Sequence, residues 1–399
     1  MLETAKPTTK TAQAGAVQQQ SSESRLDPIT GNWTVFAPHR GQRPEEFVHD
    51  KERIRKRVEC PFCPGNEDTT PPPVWIGRAS DEDSGLDVLS PHAEPTRELD
   101  VADSESRVVQ DDPSWTVRVV PNKFPAVGSA CGDSDGQKST ESTGSARDSH
   151  LFESARLTGG HEVVIESRNH VQSFTDLDVP EAQLVFQAFR DRLQYWRQIP
   201  GIAYISTFKN VGGNAGASLR HTHSQIIATD QIPPAVAQSV DRMVRYRANR
   251  GCCLHCDLIR AELKAKQRIV WRDGSLVAYC PFASHLPMLI RITTLDHQPC
   301  FEDLQDDTLE SVARLVGRVV AWLEKLRPGT AYNFCLHTRP PGAGDPPDAY
   351  HWSIEMFPRM TQVAGFEWSS NCMINPVLPE QAASRLRACA LAEDPRVML

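Results

Sequence analysis

One short polar motif constrains this chain more than any other feature, because it places His221, His223 and Gln225 at alternate positions. The motif runs directly into Ile226 and Ile227, and this pattern predicts a β-strand. Since successive side chains of a strand point to opposite faces, the three polar groups should share one face and one pocket.

A glycine-rich segment, residues 208–220, immediately precedes this motif and contains Gly212, Gly213 and Gly216. Glycines allow the backbone to come close to a ligand and to direct N–H groups toward it. The segment therefore predicts a loop that is suited to binding phosphate.

The two histidines allow more than one chemistry. A neutral imidazole is a good nucleophile toward phosphorus at neutral pH because it needs no deprotonation, so His223 could carry a nucleotidyl group. Alternatively, His221 and His223 could both be zinc ligands, or they could be ordinary polar residues of an exposed strand. The pattern alone leaves these three interpretations open.

Composition limits the class of protein. A chain of 399 residues is expected to form two domains plus tails, and no apolar run approaches the roughly 20 residues that span a bilayer. The net charge of −8 argues against general binding to nucleic-acid backbones. Residues 1–24 lack the apolar stretch of a secretion signal, which predicts a disordered tail and a cytoplasmic location.

The folded part is expected to divide into an N-terminal domain, residues 25–234, and a C-terminal domain, residues 235–399. Residues 79–105 are acidic and dotted with proline, whereas residues 128–150 are rich in Gly, Ser and Asp. Both segments predict solvated insertions.

Hydrophobic spacing predicts the elements of both domains. Helices are expected over residues 180–198, 235–250 and 304–326, and strands over residues 115–120, 161–167, 276–279, 288–292, 332–337 and 351–356. The recurrence of a cysteine pair, strands, a long helix and a late histidine strand indicates a duplication.

Two cysteine pairs, Cys60 with Cys63 and Cys253 with Cys256, have the two-residue gap that lets a turn wrap around one tetrahedral ion. The missing ligands must come from distant residues, and strand histidines are the obvious donors. The expected donors are His161 and His221 for the first pair, and His297 and His351 for the second. Chance pairs and a thioredoxin-like redox pair are the alternatives.

Together these residues resemble the galactose-1-phosphate uridylyltransferase family of the histidine triad superfamily, which includes ADP-glucose phosphorylase-like members. The likeness covers residues 25–387 apart from the two insertions. It is carried by Asp27-Pro28-Ile29-Thr30-Gly31-Asn32-Trp33, Arg40-Gly41-Gln42-Arg43-Pro44, Cys60-Pro61-Phe62-Cys63-Pro64-Gly65-Asn66-Glu67, the 210–225 segment, Gly365-Phe366-Glu367 and Ile374-Asn375-Pro376.

The resemblance implies an α+β fold with two histidine-triad-like domains, each an antiparallel sheet with packed helices, stabilised by zinc. It also implies a ping-pong mechanism. His223 would be the nucleophile, and His221 a zinc ligand. Gln225 and Ser218 would donate to the phosphoryl oxygens.

Further residues gain expected roles from the same resemblance. Asn210 would bind phosphate, and Arg40 and Arg43 would lie near the substrate. Separately, the base pocket is expected near Phe62 and Asn122. The implied Zn²⁺ sites are Cys60, Cys63, His161 and His221, and, as in the phosphorylase-like members, Cys253, Cys256, His297 and His351.

The implied reaction moves UMP from UDP-glucose to a hexose 1-phosphate, and family members are commonly homodimers. Two departures from the family pattern bear on the choice of substrate. Thr222 stands where the best-known uridylyltransferases have proline, and residues 371–375 lack the glutamate and glutamine with which those enzymes bind the hexose. The alternatives are AMP transfer from ADP-glucose to orthophosphate, a zinc-stabilised nucleotide-binding module without turnover, and a zinc hydrolase.

Overall fold

A computed structural model describes residues 22–42, 59–79, 86–89, 114–129, 151, 154–344 and 346–393. The strands are β1 (Glu23–Leu26), β2 (Trp33–Phe36), β3 (Trp75–Ala79), β4 (Leu86–Leu89), β5 (Val117–Pro121), β6 (Gly128–Ser129), β7 (Thr158–Ile165), β8 (Tyr204–Val211), β9 (His223–Thr229), β10 (Ile269–Arg272), β11 (Leu276–Tyr279), β12 (Ile290–Thr294), β13 (Tyr332–His337), β14 (Ser353–Pro358) and β15 (Met373–Asn375). The helices are α1 (Val179–Gln198), α2 (Pro234–Arg250), α3 (Leu254–Ala265), α4 (Asp306–Leu326), α5 (Gly365–Ser370) and α6 (Pro379–Glu393).

One large sheet organises the chain, in the order β10-β11-β12-β14-β13-β8-β9-β7-β5-β3-β4. Neighbours along this path are antiparallel, and β6 pairs in parallel with β7. The expected α+β class with antiparallel pairing is therefore confirmed. The expected domain boundary falls at the start of α2, but the sheet continues across it because β8 pairs with β13.

The sheet has an approximate internal symmetry about the β8–β13 junction. Moving outward, β8, β9, β7 and β5 on one side correspond to β13, β14, β12 and β11 on the other. The segment that begins at His351 and enters β14 thus occupies the place of the segment that begins at His221 and enters β9. Ser353 stands at the position that His223 holds in the first half. This arrangement fits the duplication expected from the order of elements.

Helices α1 and α4 cover one face of this sheet. The first turn of α1 is fixed by a capping box, in which Asp178 accepts from the Glu181 N–H and Glu181 accepts from the Asp178 N–H. The buried stripe of α1 places Phe186 and Phe189 against Phe334 of β13, with ring centroids 6.3 and 6.0 Å apart. The opposite face of the sheet is therefore not covered by these two helices.

A small second sheet, β1-β2-β15, joins the two ends of the described chain, with β15 parallel to β2. Within the described residues, β1 already includes Glu23 and Ser24, which were expected to belong to the tail. The acidic insertion also contains β4, which pairs with β3, so it is not wholly the solvated segment that composition predicted. The overall composition of residues 79–105 is acidic, and it does not reveal the short apolar run in β4.

The rest of the expected tail, and most of both insertions, lie outside the described residues. Within the described ranges, no helix is both long enough and apolar enough to cross a membrane.

Candidate functional site

The face of the sheet opposite α1 and α4 carries the histidine motif where β9 begins. The rings of His221 and His223 both lie against Phe62, with centroids 6.0 and 5.4 Å away. Both histidines are buried. On the other face of the same strand, Ile226 and Ala228 belong to the main core. The structure therefore has the alternation that the motif predicted.

His223 has a fixed ring orientation. Its Nδ1 lies 2.7 Å from the carbonyl oxygen of His221, and because a carbonyl only accepts, Nδ1 must carry the proton. The other ring nitrogen, Nε2, then has a free lone pair in the neutral imidazole. Burial lowers the pKa of His223, as does the nearby Lys209 charge. The site therefore favours a neutral, nucleophilic imidazole.

A buried ion pair lies beneath this strand, on the helix-covered face. Lys209 of β8 donates to Glu166, to the Thr222 hydroxyl at 2.8 Å and to the His223 carbonyl at 3.3 Å. Glu166 also accepts from the hydroxyls of Thr222 and Ser224. Thr222 and Ser224 flank His223, so the network holds the backbone of the motif on the helix-covered side.

The glycine-rich loop has a shape that requires glycine at two points. Gly212 has φ +82° and ψ 152°, and Gly216 lies in the left-handed region with φ +91°. Asn210, at the end of β8, accepts at Oδ1 from Asn333 Nδ2 at 2.7 Å, and Asn333 donates also to the Ala215 carbonyl at 3.0 Å. Asn333 belongs to β13, so the second half of the chain supports the loop. Ser218 is exposed in this loop.

Gln225 contacts His161, which was expected to be a ligand of the first zinc site. Its Oε1 lies 2.8 Å from Nε2 of His161, whose Nδ1 accepts from the Ala126 N–H at 3.1 Å. Asn122 lies beside the same His161 ring, with Nδ2 3.1 Å from Nε2. The structure therefore brings Asn122 to the Gln225 side of the site.

A first cluster of metal-type ligands combines Cys60, Cys63, His170 and His221, whose donor atoms all lie within 4.8 Å of one another. The set expected from sequence contained His161 in place of His170, and this assignment is corrected here. His161 lies on β7 and faces Gln225, whereas His170 lies on the turn after β7, which returns the chain to the cysteines. Its Nδ1 is 3.3 Å from Cys63 Sγ.

A second cluster contains the four residues expected from sequence, Cys253, Cys256, His297 and His351. Cys256 Sγ lies 3.3 Å from His297 Nδ1 and 3.5 Å from His351 Nδ1. Nε2 of His351 is held by the Thr294 hydroxyl at 3.0 Å. In the first cluster, Nε2 of His221 is likewise held by the Ser167 carbonyl at 2.8 Å. Such partners leave each Nδ1 free to bind a metal.

Both donor sets fit a tetrahedral zinc ion. About 2.3 Å to sulfur and about 2.0 Å to nitrogen would separate adjacent ligand atoms by roughly 3.5 Å, close to the observed spacings. Burial and the Cys60 thiol raise the pKa of Cys63. A hydrogen bond with Cys256 lowers the pKa of Cys253 to about 4, while the same contact raises that of Cys256. A bound cation would allow both thiols of a pair to ionise.

Of the two arginines expected near the substrate, the structure describes only Arg40. Arg40 is exposed in the 3-10 turn Pro38–Gln42, beside the small sheet, and its side chain forms no hydrogen bond or ion pair with a described residue. Arg43 lies outside the described residues.

Sequence reasoning missed four contributors: His170, the pair Glu166 and Lys209, and Asn333. A histidine in a polar turn and an asparagine within an apolar strand carry little local signal. Lys209 offered one clue, because a lysine in a strand that is otherwise buried at alternate positions usually has a charged partner.

Comparison with known proteins identifies a matching family model and relatives that align with most of the chain. The family model of the galactose-1-phosphate uridyl transferase N-terminal domain matches residues 103–233. ADP-glucose phosphorylase from Arabidopsis thaliana is 30% identical over 379 residues, 94% of this chain and 95% of that protein. Galactose-1-phosphate uridylyltransferase from Hypocrea jecorina is 24% identical over 385 residues, 92% of this chain and 95% of that protein.

A solved structure is also similar to this chain over most of its length. The crystal structure of an ADP-glucose phosphorylase from Arabidopsis thaliana with bound ADP-glucose is similar at a TM-score of 0.70 and 28% identity. The match covers 95% of this chain and all of the other. The similarity therefore extends across both halves of the sheet.

Proposed function

Because the chain belongs to the galactose-1-phosphate uridylyltransferase family, we propose that it transfers a nucleoside monophosphate from a nucleotide sugar to a phosphate-bearing acceptor, through a covalent adduct on His223. One observation carries this proposal: the His221 carbonyl binds Nδ1 of His223 and leaves the Nε2 lone pair free. The ring needs no base to activate it.

The proposed reaction has two balanced steps. In the first, the Nε2 lone pair of His223 attacks the α-phosphorus, a P–N bond forms, and the bond to the bridging oxygen breaks, so that the sugar 1-phosphate leaves. In the second, a phosphate oxygen of the acceptor attacks the same phosphorus, and the P–N bond breaks to restore neutral His223. The leaving group is a phosphate dianion, which needs no strong acid.

Hydrogen-bond donors on the same face would stabilise the negative charge that develops on the equatorial phosphoryl oxygens. Gln225 and Asn210 supply carboxamide NH₂ groups, and the loop that contains Gly212, Gly216 and Ser218 supplies backbone N–H groups and a hydroxyl. Pre-oriented donors of this kind are worth roughly 10²–10³ in rate each.

The donor and acceptor that we favour are ADP-glucose and orthophosphate. The relative that is 30% identical over almost the whole chain bears the name ADP-glucose phosphorylase, whereas the Hypocrea uridylyltransferase is 24% identical. The second Cys/His cluster supports the same choice, since the resemblance gives this ligand set to phosphorylase-like members. Transfer of UMP from UDP-glucose to a hexose 1-phosphate is the second candidate, and the family model favours it.

Zinc would have a structural role in this proposal. Each cluster offers four protein ligands, which fill a tetrahedral shell and leave no open position for a substrate. An ion at the first cluster would hold His221, and through it the start of β9, where His223 begins the strand.

The test is to incubate purified protein separately with ADP-glucose and UDP-glucose, each labelled at the α-phosphate. Label should remain on the protein through an acid-labile, base-stable bond, and more of it should come from ADP-glucose. Adding orthophosphate should then release labelled ADP, whereas adding galactose 1-phosphate should release little label.

Three outcomes would redirect the proposal. Greater labelling by UDP-glucose, with release by a hexose 1-phosphate, would favour the uridylyltransferase. Tight nucleotide binding without any adduct would indicate a binding module. If turnover occurs without any adduct, and a chelator stops that turnover immediately, the protein would be a zinc hydrolase.

A further inference from the structure

Both carboxamides of the site have their oxygen occupied by another side chain. Gln225 Oε1 contacts His161, and Asn210 Oδ1 contacts Asn333. Neither His161 nor Asn333 belongs to the motif. The hydrogen-bonding groups around each contact determine which end of the amide faces the substrate.

For Asn210 the orientation follows from a backbone carbonyl. Asn333 Nδ2 donates to the oxygen of Ala215 at 3.0 Å, and a carbonyl can only accept, so the amide of Asn333 cannot be reversed. Its second N–H points at Asn210, 2.7 Å away, and requires an acceptor there. Asn210 must therefore present Oδ1 to Asn333 and turn Nδ2 away. Asn333 is only 9% exposed, so water cannot readily replace this contact.

For Gln225 the orientation follows from a backbone N–H. The Ala126 N–H donates to Nδ1 of His161, so in the neutral ring Nε2 carries the proton. Asn122 Nδ2 lies 3.1 Å from Nε2, but the Phe124 N–H binds Asn122 Oδ1 at 2.8 Å, so Asn122 turns its NH₂ group to the ring and cannot accept the Nε2–H. Gln225 Oε1 is then the acceptor for the Nε2–H, and the Gln225 NH₂ group points away from His161.

We infer that His161 and Asn333 are positioning residues, which hold the amides of Gln225 and Asn210 with their NH₂ groups toward the transferring phosphoryl group. This inference rests on the proposed function. A reversed amide would present an oxygen to phosphoryl oxygens and would repel them. Both orientations are set before substrate binds, so no reorganisation is needed when charge develops.

The test uses two double-mutant cycles, with the rate of nucleotidyl-enzyme formation as the readout. His161→Phe and Asn333→Ala should each slow this step by roughly 10- to 100-fold, less than or equal to the loss of a whole donor. His161→Phe should add almost nothing to Gln225→Ala, and Asn333→Ala should add almost nothing to Asn210→Ala. Crossed pairs, His161→Phe with Asn210→Ala and Asn333→Ala with Gln225→Ala, should show multiplied losses.

Conservative variants provide a second measurement that does not depend on the large substitutions folding well. His161→Gln can still donate to Gln225 and should retain most of the rate, whereas His161→Glu can only accept and should not. Asn333→Asp should likewise be slower than wild type, because it would draw the Asn210 NH₂ group toward itself. Thermal unfolding and bound zinc are measured for every variant.

The outcomes are distinct. If wild-type protein forms no nucleotidyl adduct, the proposed function fails. If it forms the adduct but the matched pairs multiply as the crossed pairs do, or if His161→Glu equals His161→Gln, the positioning role is wrong.

Discussion

The carbonyl oxygen of His221 accepts a hydrogen bond of 2.7 Å from Nδ1 of His223, two residues along the chain, where β9 begins. The same residue, His221, turns its own Nδ1 toward Cys60 and Cys63 at 3.6 Å. His221 thus connects the first Cys/His cluster to the ring orientation of His223. Its side chain faces the cluster, and its backbone carbonyl binds the His223 ring.

The first prediction concerns His223, the proposed nucleophile. His223→Asn should abolish the labelled adduct and reduce turnover by on the order of 10⁴-fold or more, because an amide has no nucleophilic lone pair of comparable strength. Bound zinc should stay at the wild-type amount, since His223 is not among the clustered ligands. Phosphorus-label retention and metal analysis are measured on the same sample. Full turnover by His223→Asn would contradict the assignment.

The second prediction separates His170 from His161. His170→Ala should remove roughly half of the protein-bound zinc, one site of two, and should lower the unfolding midpoint, because a three-ligand site binds its ion less tightly. His161→Ala should retain all the zinc. Metal content after gel filtration decides between them, and loss of zinc in His161→Ala alone would restore the ligand set expected from sequence.

This exchange of histidines shows where sequence reasoning reaches its limit. The cysteine spacing, the alternation in β9 and the helices α1 and α4 are local patterns, and they were predictable because each depends on neighbouring residues. Which distant histidine completes a cluster depends on how the turn after β7 folds back. The contact of Asn333 with Asn210, between β13 and β8, depends on pairing between residues that are far apart in the chain.

The third prediction concerns the buried pair beneath the site. Lys209 is 3% exposed and Glu166 is fully buried. Burial lowers the pKa of Lys209, and the Glu166 charge opposes that shift. Lys209→Met should destabilise the protein by about 3–5 kcal/mol, because it leaves Glu166 buried without a cation. The double variant Lys209→Met/Glu166→Gln should recover most of that loss.

Urea unfolding of the single and double variants tests this pair, with linear extrapolation at a constant slope. The adduct-forming rate of the double variant should remain below wild type, since the donor to the His223 carbonyl is lost. If the double variant were no more stable than Lys209→Met, the pair would not be the source of the effect.

The final prediction concerns Gly212 at the entrance of the glycine-rich loop. With φ +82° and ψ 152° it occupies a region that is essentially restricted to glycine, and an added Cβ would lie 2.9 Å from the Ala331 Cβ. Gly212→Ala should therefore cost on the order of 1–3 kcal/mol of strain and displace the loop, which should slow adduct formation. Gly201→Ala is the matched control, because Gly201 has φ +86° and its added Cβ would meet no atom within 4 Å. This control should lose stability through backbone strain alone and keep the wild-type rate. Equal rates in the two variants would show that the conformation of Gly212 does not matter for transfer.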